Sequence, residues 1–216
     1  MKYKYILFDF DGTLFDTSEG IIKGVRHTLE QNGYSVGEDK ELYKFIGPPI
    51  VQAFKEFYGM TEKQALAAKD LYRKYYREEG LFLCKPIDGA KECLGRLLQA
   101  GCTLAVATSK PEMFARAILE KFGFSEYFSL IFGADPEETR LEKSEIISFV
   151  LHECQPDNLA VVIKFVYRQY DVIGAKKAGL ACIGLDSGVS DPGELENAGA
   201  AAVVHNYLEL AAIVLG

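Results

Sequence analysis

Two carboxylates stand one residue apart near the start of the chain. The stretch "YKYILFDFDGTLFDT" runs from Tyr3 to Thr17, and in it Asp9 interrupts an apolar run that is followed by Asp11 and Gly12. Side chains alternate along a strand, so Asp9 and Asp11 point the same way unless the chain turns between them. Two carboxylates that close repel each other, and one pKa rises unless a cation intervenes. Mg²⁺, a hard cation that takes oxygen ligands, would relieve the repulsion. An ordinary strand-to-turn junction is the weaker alternative, because Asp9 interrupts a buried run with no base nearby.

Polar residues recur where later strands are predicted to end. The strand "TLAVAT" ends at Thr108 and is followed by Ser109 and Lys110, while Lys143 and Asp171 each begin a predicted helix. Taken singly, these are ordinary features: an N-cap hydroxyl, a surface lysine and a helix cap. Ligands of open α/β sheets bind outside the carboxyl ends of the strands, so we expect these residues to share one edge of a sheet. A carboxylate nucleophile, a metal and donors for the equatorial oxygens are what phosphoryl transfer requires.

The elements that position these residues alternate regularly after Pro86. The predicted strands are 103–108, 130–133, 159–165, 181–185 and 201–204, and the predicted helices are 88–100, 111–122, 143–154, 171–178, 191–198 and 206–215. Residues 3–10 are predicted to form a further buried strand. Strands that alternate with helices are typical of βαβ units. We therefore predict an α/β fold with a Rossmann-like parallel sheet as its core.

Residues 17–80 have a different, helical pattern with few strand-like runs. Helices are predicted in "EGIIKGVRHTLEQNG", with Thr17 or Ser18 as the cap, in "GPPIVQAFKEFYG", and in "TEKQALAAKDLYRKYYREEG", capped by Thr61. The first strand has no core helix of its own after it, so this block is predicted to be an insertion. The expected domains are a core of residues 1–15 and 82–216 and a helical cap of residues 16–81.

The composition argues against several classes of partner. The chain has 216 residues, of which 49% are hydrophobic and 25% charged, and its net charge is −7. This acidic balance argues against nucleic acid or an anionic membrane as a partner, and no stretch approaches the ~20 apolar residues of a membrane span. The five cysteines form no C-x-x-C pair and no signal peptide is evident, so we expect reduced thiols and a cytoplasmic location. A monomer and a homodimer are both compatible with the sequence.

The motifs, in their order along the chain, resemble those of the haloacid dehalogenase superfamily, in its phosphoglycolate-phosphatase-like branch with a small helical cap. "DFDGT" is followed by a helical insert, then by "VATSK", "TRLEKSEII" and "YDVIGAKKAG". The resemblance runs nearly end to end. It implies a Mg²⁺-dependent phosphatase that acts on a small phosphomonoester, such as phosphoglycolate, a nucleoside monophosphate or a sugar phosphate, or on pyrophosphate.

The resemblance also implies roles for individual residues. Asp9 would be the nucleophile that forms an aspartyl-phosphate, and Asp11 the general acid for the leaving alkoxide and then the base for water. Thr108 would hydrogen-bond the phosphoryl oxygens, and Lys143 would offset charge between nucleophile and phosphate. The implied Mg²⁺ ligands are Asp9, Asp11 (whose backbone carbonyl would also hold the ion) and Asp171. The further substrate-binding residues are Gly12, Thr13, Ser109, Lys110 and, in the cap loop "KFIGPPI", Gly47 and Pro48.

One stretch departs from the family pattern. The fourth motif normally has Gly-Asp before a second Asp, but here Val166 and Tyr167 precede Asp171, and Lys164 and Phe165 look like extra residues. In the family the missing acid ligates Mg²⁺ directly, and a lysine in this loop would oppose the cation. Three explanations are open: Asp171 serves alone with water completing the metal shell, the protein is catalytically impaired, or compensating frameshifts altered only "KFVY".

The leading hypothesis is therefore a Mg²⁺-dependent phosphatase, beside which two alternatives stand. A phosphomutase would need a cap that holds a sugar bisphosphate, and the cap shows no obvious basic cluster dedicated to that. A non-catalytic binding protein with a degenerate metal site is favoured by Tyr167, whereas the intact "DFDGT" and Lys143 argue against it.

Overall fold

The structure is a computed structural model that describes residues 2–135, 142–186, 188 and 191–216. The chain divides into two compact units, the first formed by Met1–Phe15 with Pro86–Gly216 and the second by Asp16–Lys85. The chain first passes from one unit to the other between Phe15 and Asp16. The second crossing falls between Lys85 and Pro86, a few residues after the predicted boundary at 81/82. The assignment of the units as catalytic core and cap stays a prediction.

The described elements follow one another along the chain as listed here. The strands are β1 (Tyr5–Phe8), β2 (Phe15–Asp16), β3 (Lys85–Pro86), β4 (Thr103–Pro111), β5 (Leu130–Ala134), β6 (Val162–Val166), β7 (Ala181–Leu185) and β8 (Ala202–Val204). The α-helices are α1 (Ser18–Gln31), α2 (Asp39–Leu42), α3 (Ile50–Tyr58), α4 (Glu62–Tyr75), α5 (Ala90–Gln99), α6 (Glu112–Phe122), α7 (Lys143–Cys154), α8 (Gln169–Lys177), α9 (Glu194–Ala198) and α10 (Tyr207–Leu215).

The first unit contains a six-stranded sheet in the order β5-β4-β1-β6-β7-β8. Every described strand pair in it is parallel. The strand that precedes the two acids, β1, lies in the middle, and its Leu7 is paired with Ala105 of β4 and with Lys164 of β6. A central strand is held on both edges, so the residues that follow it start from a rigid base. The predicted α/β fold with a parallel sheet core is confirmed.

Apolar side chains cover the sheet on the face that carries Leu7. They form one buried cluster with residues of the helices that follow β5, β6 and β7, and its members include Leu7, Ala105, Ile146, Ile147, Val150, Val162, Val166, Val172 and Leu195. Lys164 stands between Val162 and Val166 on β6, and period-2 alternation places it on this same face. A lysine is therefore built into an otherwise apolar layer of the core.

The second unit is helical, as predicted. Its helix α4 begins after Thr61, whose side chain accepts a hydrogen bond from the Gln64 backbone N–H, so the predicted cap is confirmed. Helix α1 begins at Ser18 with Thr17 at its N-cap position, one of the two predicted caps, but the Thr17 side chain makes no cap hydrogen bond. Oδ1 of Asp16 accepts the Ser18 backbone N–H at 3.1 Å instead.

The largest difference from the predicted elements concerns the stretch before Asp171. Residues 159–161, predicted as strand, form a 3₁₀ turn, and the strand covers Val162–Val166. Lys164 lies inside the predicted strand and pairs with Leu7, although the comparison with the family pattern treated it as an extra residue of the following loop. Among the described residues, no helix is long and apolar enough to cross a membrane. All five cysteines are free thiols.

Candidate active site

The two acids of "DFDGT" lie in different backbone structures because the chain turns directly after the first. The Asp9 backbone N–H donates to the carbonyl of Phe165 at 3.0 Å, which extends the β1–β6 pairing by one residue. The carbonyl of Phe10 then accepts the N–H groups of Thr13 and Leu14, and Gly12 adopts a left-handed φ of 74°. Asp9 therefore stays in the plane of the sheet, whereas Asp11 lies in a tight turn.

Asp9 and Asp171 share one lysine. Nζ of Lys143 lies 3.5 Å from Oδ2 of Asp9 and also donates a short hydrogen bond to Oδ1 of Asp171. All three side chains are buried. The structure therefore brings together the predicted nucleophile, the predicted charge-offsetting lysine and the late acid.

The helices that carry Lys143 and Asp171 approach each other closely. Lys143 is the first residue of α7, and Asp171 lies in the first turn of α8. A Cβ added to Gly174 of α8 would lie 2.7 Å from Cβ of Lys143, so only glycine permits this approach. Asp171 was predicted to begin its helix, but α8 begins at Gln169, and Asp171 faces the interior instead of capping the helix.

Lys164 adds a second ammonium group to Asp171. Its Nζ lies 3.6 Å from Oδ1 of Asp171 and donates to the carbonyl of Ala107 at 3.1 Å. Lys164 and Asp171 are both 0% exposed. A buried charge needs partners, and each of these residues supplies one to the other.

Burial and charge act on the protonation of these groups in different directions. Burial opposes ionisation of Asp9, but the ammonium groups of Lys143 and Lys164 outweigh it and lower the pKa of Asp9 below its ordinary value. Burial, together with the charge of Asp9, raises the pKa of Asp171 even though two lysines contact it. Burial also opposes the charge of Lys143, but the carboxylates of Asp171 and Asp9 raise the pKa of Lys143. Asp9 is thus held as a carboxylate at neutral pH, the form that a nucleophile requires.

Of the residues that end the next strand, Lys110 pairs with the second acid. Nζ of Lys110 lies 2.9 Å from Oδ1 of Asp11. Oγ1 of Thr108 accepts the Lys110 backbone N–H at 3.2 Å, and the strand β4 continues to Pro111, so "TSKP" is not the side-chain cap of the next helix. Asp11 therefore has a lysine partner of its own, which the sequence did not predict.

Several buried polar atoms lack a hydrogen-bond partner among the residues that the structure describes. They are Oδ1 of Asp9, Oγ1 of Thr13, Oγ of Ser109 and Oδ2 of Asp171. Unsatisfied buried polar groups are costly and are commonly satisfied by water or a ligand. All four belong to residues that the sequence assigned to the site.

A divalent metal does not fit these residues as they stand. Within residues 2–135, 142–186, 188 and 191–216, no group of three or more His, Cys, Asp and Glu side chains is arranged to hold one. At the position of the expected acid, Tyr167 is buried against the "DFDGT" turn, where a Cβ added to Gly12 would lie 2.2 Å from its ring. Asp171 already faces two ammonium groups, and at an effective dielectric constant of about 20 a dication about 4 Å from one of them would be repelled by about 8 kcal/mol.

Two predicted substrate-binding residues remain. Gly47 and Pro48 belong to the second unit, between a 3₁₀ turn at Tyr43–Phe45 and helix α3, and their role in substrate binding stays a prediction. Sequence reasoning missed the Lys164–Asp171 contact. The sequence feature that could have revealed it is the charged residue within the apolar run "VVIKFV". Lys164 lies two residues from Val162 and two from Val166, so it shares their face of the strand, which is buried.

The profile of the haloacid dehalogenase-like hydrolases matches residues 6–185 of the chain. This match covers every residue of the site described above. The chain belongs to this family of hydrolases, as its motifs indicated.

Individual relatives match most of the chain. A Pseudomonas aeruginosa protein named 5′-nucleotidase is 38% identical over 215 residues, covering 99% of this chain and 95% of its own length. A Mycobacterium tuberculosis protein named tyrosine-protein kinase PtkA is 32% identical over 203 residues, covering 93% of this chain and 68% of its own. The crystal structure of a predicted phosphatase from Clostridium acetobutylicum superposes with a TM-score of 0.95 at 38% identity, covering 100% of this chain and 99% of that one.

Proposed function

We propose that this protein is a phosphatase that hydrolyses a small phosphomonoester through an aspartyl-phosphate on Asp9. The observation that carries the proposal is the buried carboxylate of Asp9 at the end of the central strand, with Nζ of Lys143 3.5 Å from its Oδ2. Its other oxygen, Oδ1, has no hydrogen-bond partner among the described residues. Membership of the hydrolase family and the phosphatase relatives support a phosphoric monoester hydrolase.

The proposed reaction has two displacements at phosphorus. In the first, a carboxylate oxygen of Asp9 attacks phosphorus, the ester P–O bond breaks, and the leaving alkoxide takes a proton from Asp11. In the second, Asp11 takes a proton from water while the water oxygen attacks phosphorus. The Asp9–phosphate bond then breaks, which releases inorganic phosphate and regenerates the carboxylate.

The neighbouring side chains would stabilise the charge that develops on the phosphoryl oxygens. Lys143 reaches Asp9 directly, and the hydroxyl group of Thr108 contributes to the lowered pKa of Asp9. Lys110 would orient Asp11, because its Nζ lies 2.9 Å from the Asp11 carboxylate. Fixed donors of this kind act most strongly in a buried site.

The finer assignments concern the metal, the substrate and the location. The resemblance to the family implies dependence on Mg²⁺, with Asp9, Asp11 and Asp171 as ligands, but the lysine contacts of Asp171 argue against a bound ion, and the proposed reaction does not use one. The substrate class includes phosphoglycolate, nucleotides and sugar phosphates, and the relative named 5′-nucleotidase favours a nucleoside monophosphate. We place the enzyme in the cytoplasm.

The second candidate is a protein that keeps the fold and binds a phosphate ligand with weak or no catalysis. The specific observation in its favour is Tyr167, which stands where the family has an acid and is buried against Gly12. This candidate predicts binding of a phosphomonoester without release of phosphate.

A panel of phosphomonoesters assayed on wild type and on Asp9→Asn separates the two candidates. The amide nearly preserves the shape of Asp9 but cannot attack phosphorus, so it should abolish phosphate release while leaving the melting temperature within a few degrees of wild type. Equal turnover by both proteins would contradict the role of Asp9. Binding without turnover by wild type, across the panel and at high Mg²⁺, would favour the second candidate.

A further inference from the structure

The carboxylates of the site are offset by lysines of the chain itself. Each predicted metal-binding carboxylate contacts at least one lysine, and the residues are Asp9, Asp11, Asp171, Lys110, Lys143 and Lys164. A divalent cation would normally offset the negative charge of such a carboxylate group. Here the ammonium groups already do so.

We propose that Lys164 takes over the charge of the divalent metal, so that this site holds its phosphate without Mg²⁺. The inference deepens the proposed function and rests on it, because it concerns the same phosphate site. Lys164 contacts Asp171, not the predicted nucleophile, and so it is assigned as a positioning residue.

The placement of Lys164 supports this role. Its amine is fixed by the carbonyl of Ala107 at 3.1 Å and lies 3.6 Å from Oδ1 of Asp171. Its backbone pairs with Leu7 in the sheet, and its side chain has no exposure to solvent. A fixed cation at this point acts on Asp9 and Lys143 without needing a bound ion.

The contact chain explains how Lys164 acts at a distance. Asp171 receives both Lys164 and Lys143, and Lys143 in turn reaches Asp9. Lys164 neutralises part of the negative charge of Asp171 and so weakens the attraction between Asp171 and Lys143. The ammonium group of Lys143 is then available to a phosphate beside Asp9. Without Lys164, Asp171 would hold Lys143 alone, and the site would carry one more uncompensated negative charge.

The test measures binding of two ions, without any turnover. Calorimetry on the full chain measures two affinities. Inorganic phosphate is titrated in the presence of a chelator, and Mg²⁺ is titrated without the chelator. The proteins are wild type, Lys164→Met, Lys164→Arg and Lys177→Met, the last being a control that removes the same charge from a side chain that is 61% exposed. Methionine suits the apolar layer around position 164.

Wild type and Lys177→Met should bind phosphate in chelator equally well. Lys164→Met should bind phosphate at least ~10-fold more weakly and Mg²⁺ at least ~10-fold more tightly, since it loses one positive charge near both ions. Lys164→Arg should keep wild-type behaviour. The proposal is overturned if wild type binds phosphate only when Mg²⁺ is present, or if Lys164→Met, shown to be folded, leaves both affinities unchanged. Phosphorylation of Asp9 is measured in a separate experiment, so a negative result in the binding test would not contradict the proposed function.

Discussion

Nζ of Lys164 lies 3.6 Å from Oδ1 of Asp171, and both side chains are completely buried. A strand lysine and a helix carboxylate thus meet inside an otherwise apolar layer. The pair reaches the predicted nucleophile through Lys143, which contacts Asp171 and Asp9 together. The electrostatics of the site depend on this connected group more than on any single pair.

Replacing Lys143 should impair both chemistry and folding. Lys143→Met leaves Asp9 without its nearest cation, so kcat/KM should fall at least ~100-fold, as for other lost charge-stabilising contacts. It also removes a buried ionic partner from Asp171, and the free energy of unfolding should drop by about 3 kcal/mol. Steady-state kinetics and urea unfolding measure the two effects. Lys177→Met is the matched surface control, and equal losses in both variants would contradict the central role of Lys143.

Restoring an acid at position 167 should restore dependence on metal. Shortening "KFVY" to Gly-Asp would remove residues that pair with Leu7 and Phe8, so the change is better made in place. We expect Lys164→Met with Tyr167→Asp to make activity depend on Mg²⁺, with a chelator lowering it at least ~10-fold. A chelator should leave wild-type activity unchanged. The amide variant Tyr167→Asn with Lys164→Met is the control, and equal behaviour of acid and amide would show that position 167 does not reach a metal.

Gly12 should tolerate substitution less well than Gly101, which is also left-handed. At Gly101, with φ 85° and nothing within 4 Å of an added Cβ, alanine should cost only the left-handed backbone penalty of about 1 to 2 kcal/mol. At Gly12, with φ 74°, the new methyl would meet the Tyr167 ring at 2.2 Å, so the cost should be about 2 kcal/mol larger. Urea unfolding of both variants gives the comparison.

A second cycle isolates the contact between Gly12 and Tyr167. In a Tyr167→Ala background, Gly12→Ala should cost no more than Gly101→Ala does, because the ring is gone. An unchanged cost in that background would mean that the strain lies in the backbone alone.

Stability should fall in alkaline solution because a buried thiol resists ionisation. Burial raises the pKa of Cys93 from 9.0 to about 12, so between these values the unfolded chain loses the thiol proton and the folded chain keeps it. The free energy of unfolding is unaffected by this thiol below pH 9 and decreases above it, by about 1 kcal/mol between pH 8 and pH 10.

The measurement is urea unfolding at pH 8 and pH 10 with a reductant, on wild type and Cys93→Ala. Alanine lowers stability at both pH values by leaving a cavity, but the loss between them should shrink by about 1 kcal/mol. If the two proteins lose equal stability over this pH interval, the thiol does not carry the effect.

The alternating elements of the sheet could be predicted because each is short, apolar and bounded by turn residues. The helix Lys143–Cys154 and the strand Ala181–Leu185 have the predicted bounds. The structure around Asp171 could not be predicted, because the local sequence pattern differs from the position that packing in the folded chain imposes. Asp171 reads as a helix cap, yet α8 begins before it and turns it inward. Lys164 falls within the predicted strand 159–165 but is an extra loop residue by the family pattern, and its pairing with Leu7 shows that the strand prediction holds.

The contacts of the site depended on the same tertiary information. The carboxyl-end rule brought Asp9, Lys143 and Asp171 to one edge of the sheet. It could not indicate that Lys110 pairs with Asp11, because the turn at Gly12 decides where Asp11 lies. Nor could the rule indicate that Asp171 would contact both Lys143 and Lys164, since the position of Lys164 depends on the register of its strand in the sheet.

The most direct test of the account is to locate the phosphoryl group on the enzyme during turnover. Wild type is mixed with excess phosphomonoester, quenched in acid within the first turnover, digested, and analysed by mass spectrometry, with Asp9→Asn treated in parallel. The account predicts a phosphorylated peptide that contains "DFDGT", with the group on Asp9, in wild type and none in Asp9→Asn. Phosphate release by wild type with the phosphoryl group on another residue, or an equally phosphorylated Asp9→Asn protein, would contradict it.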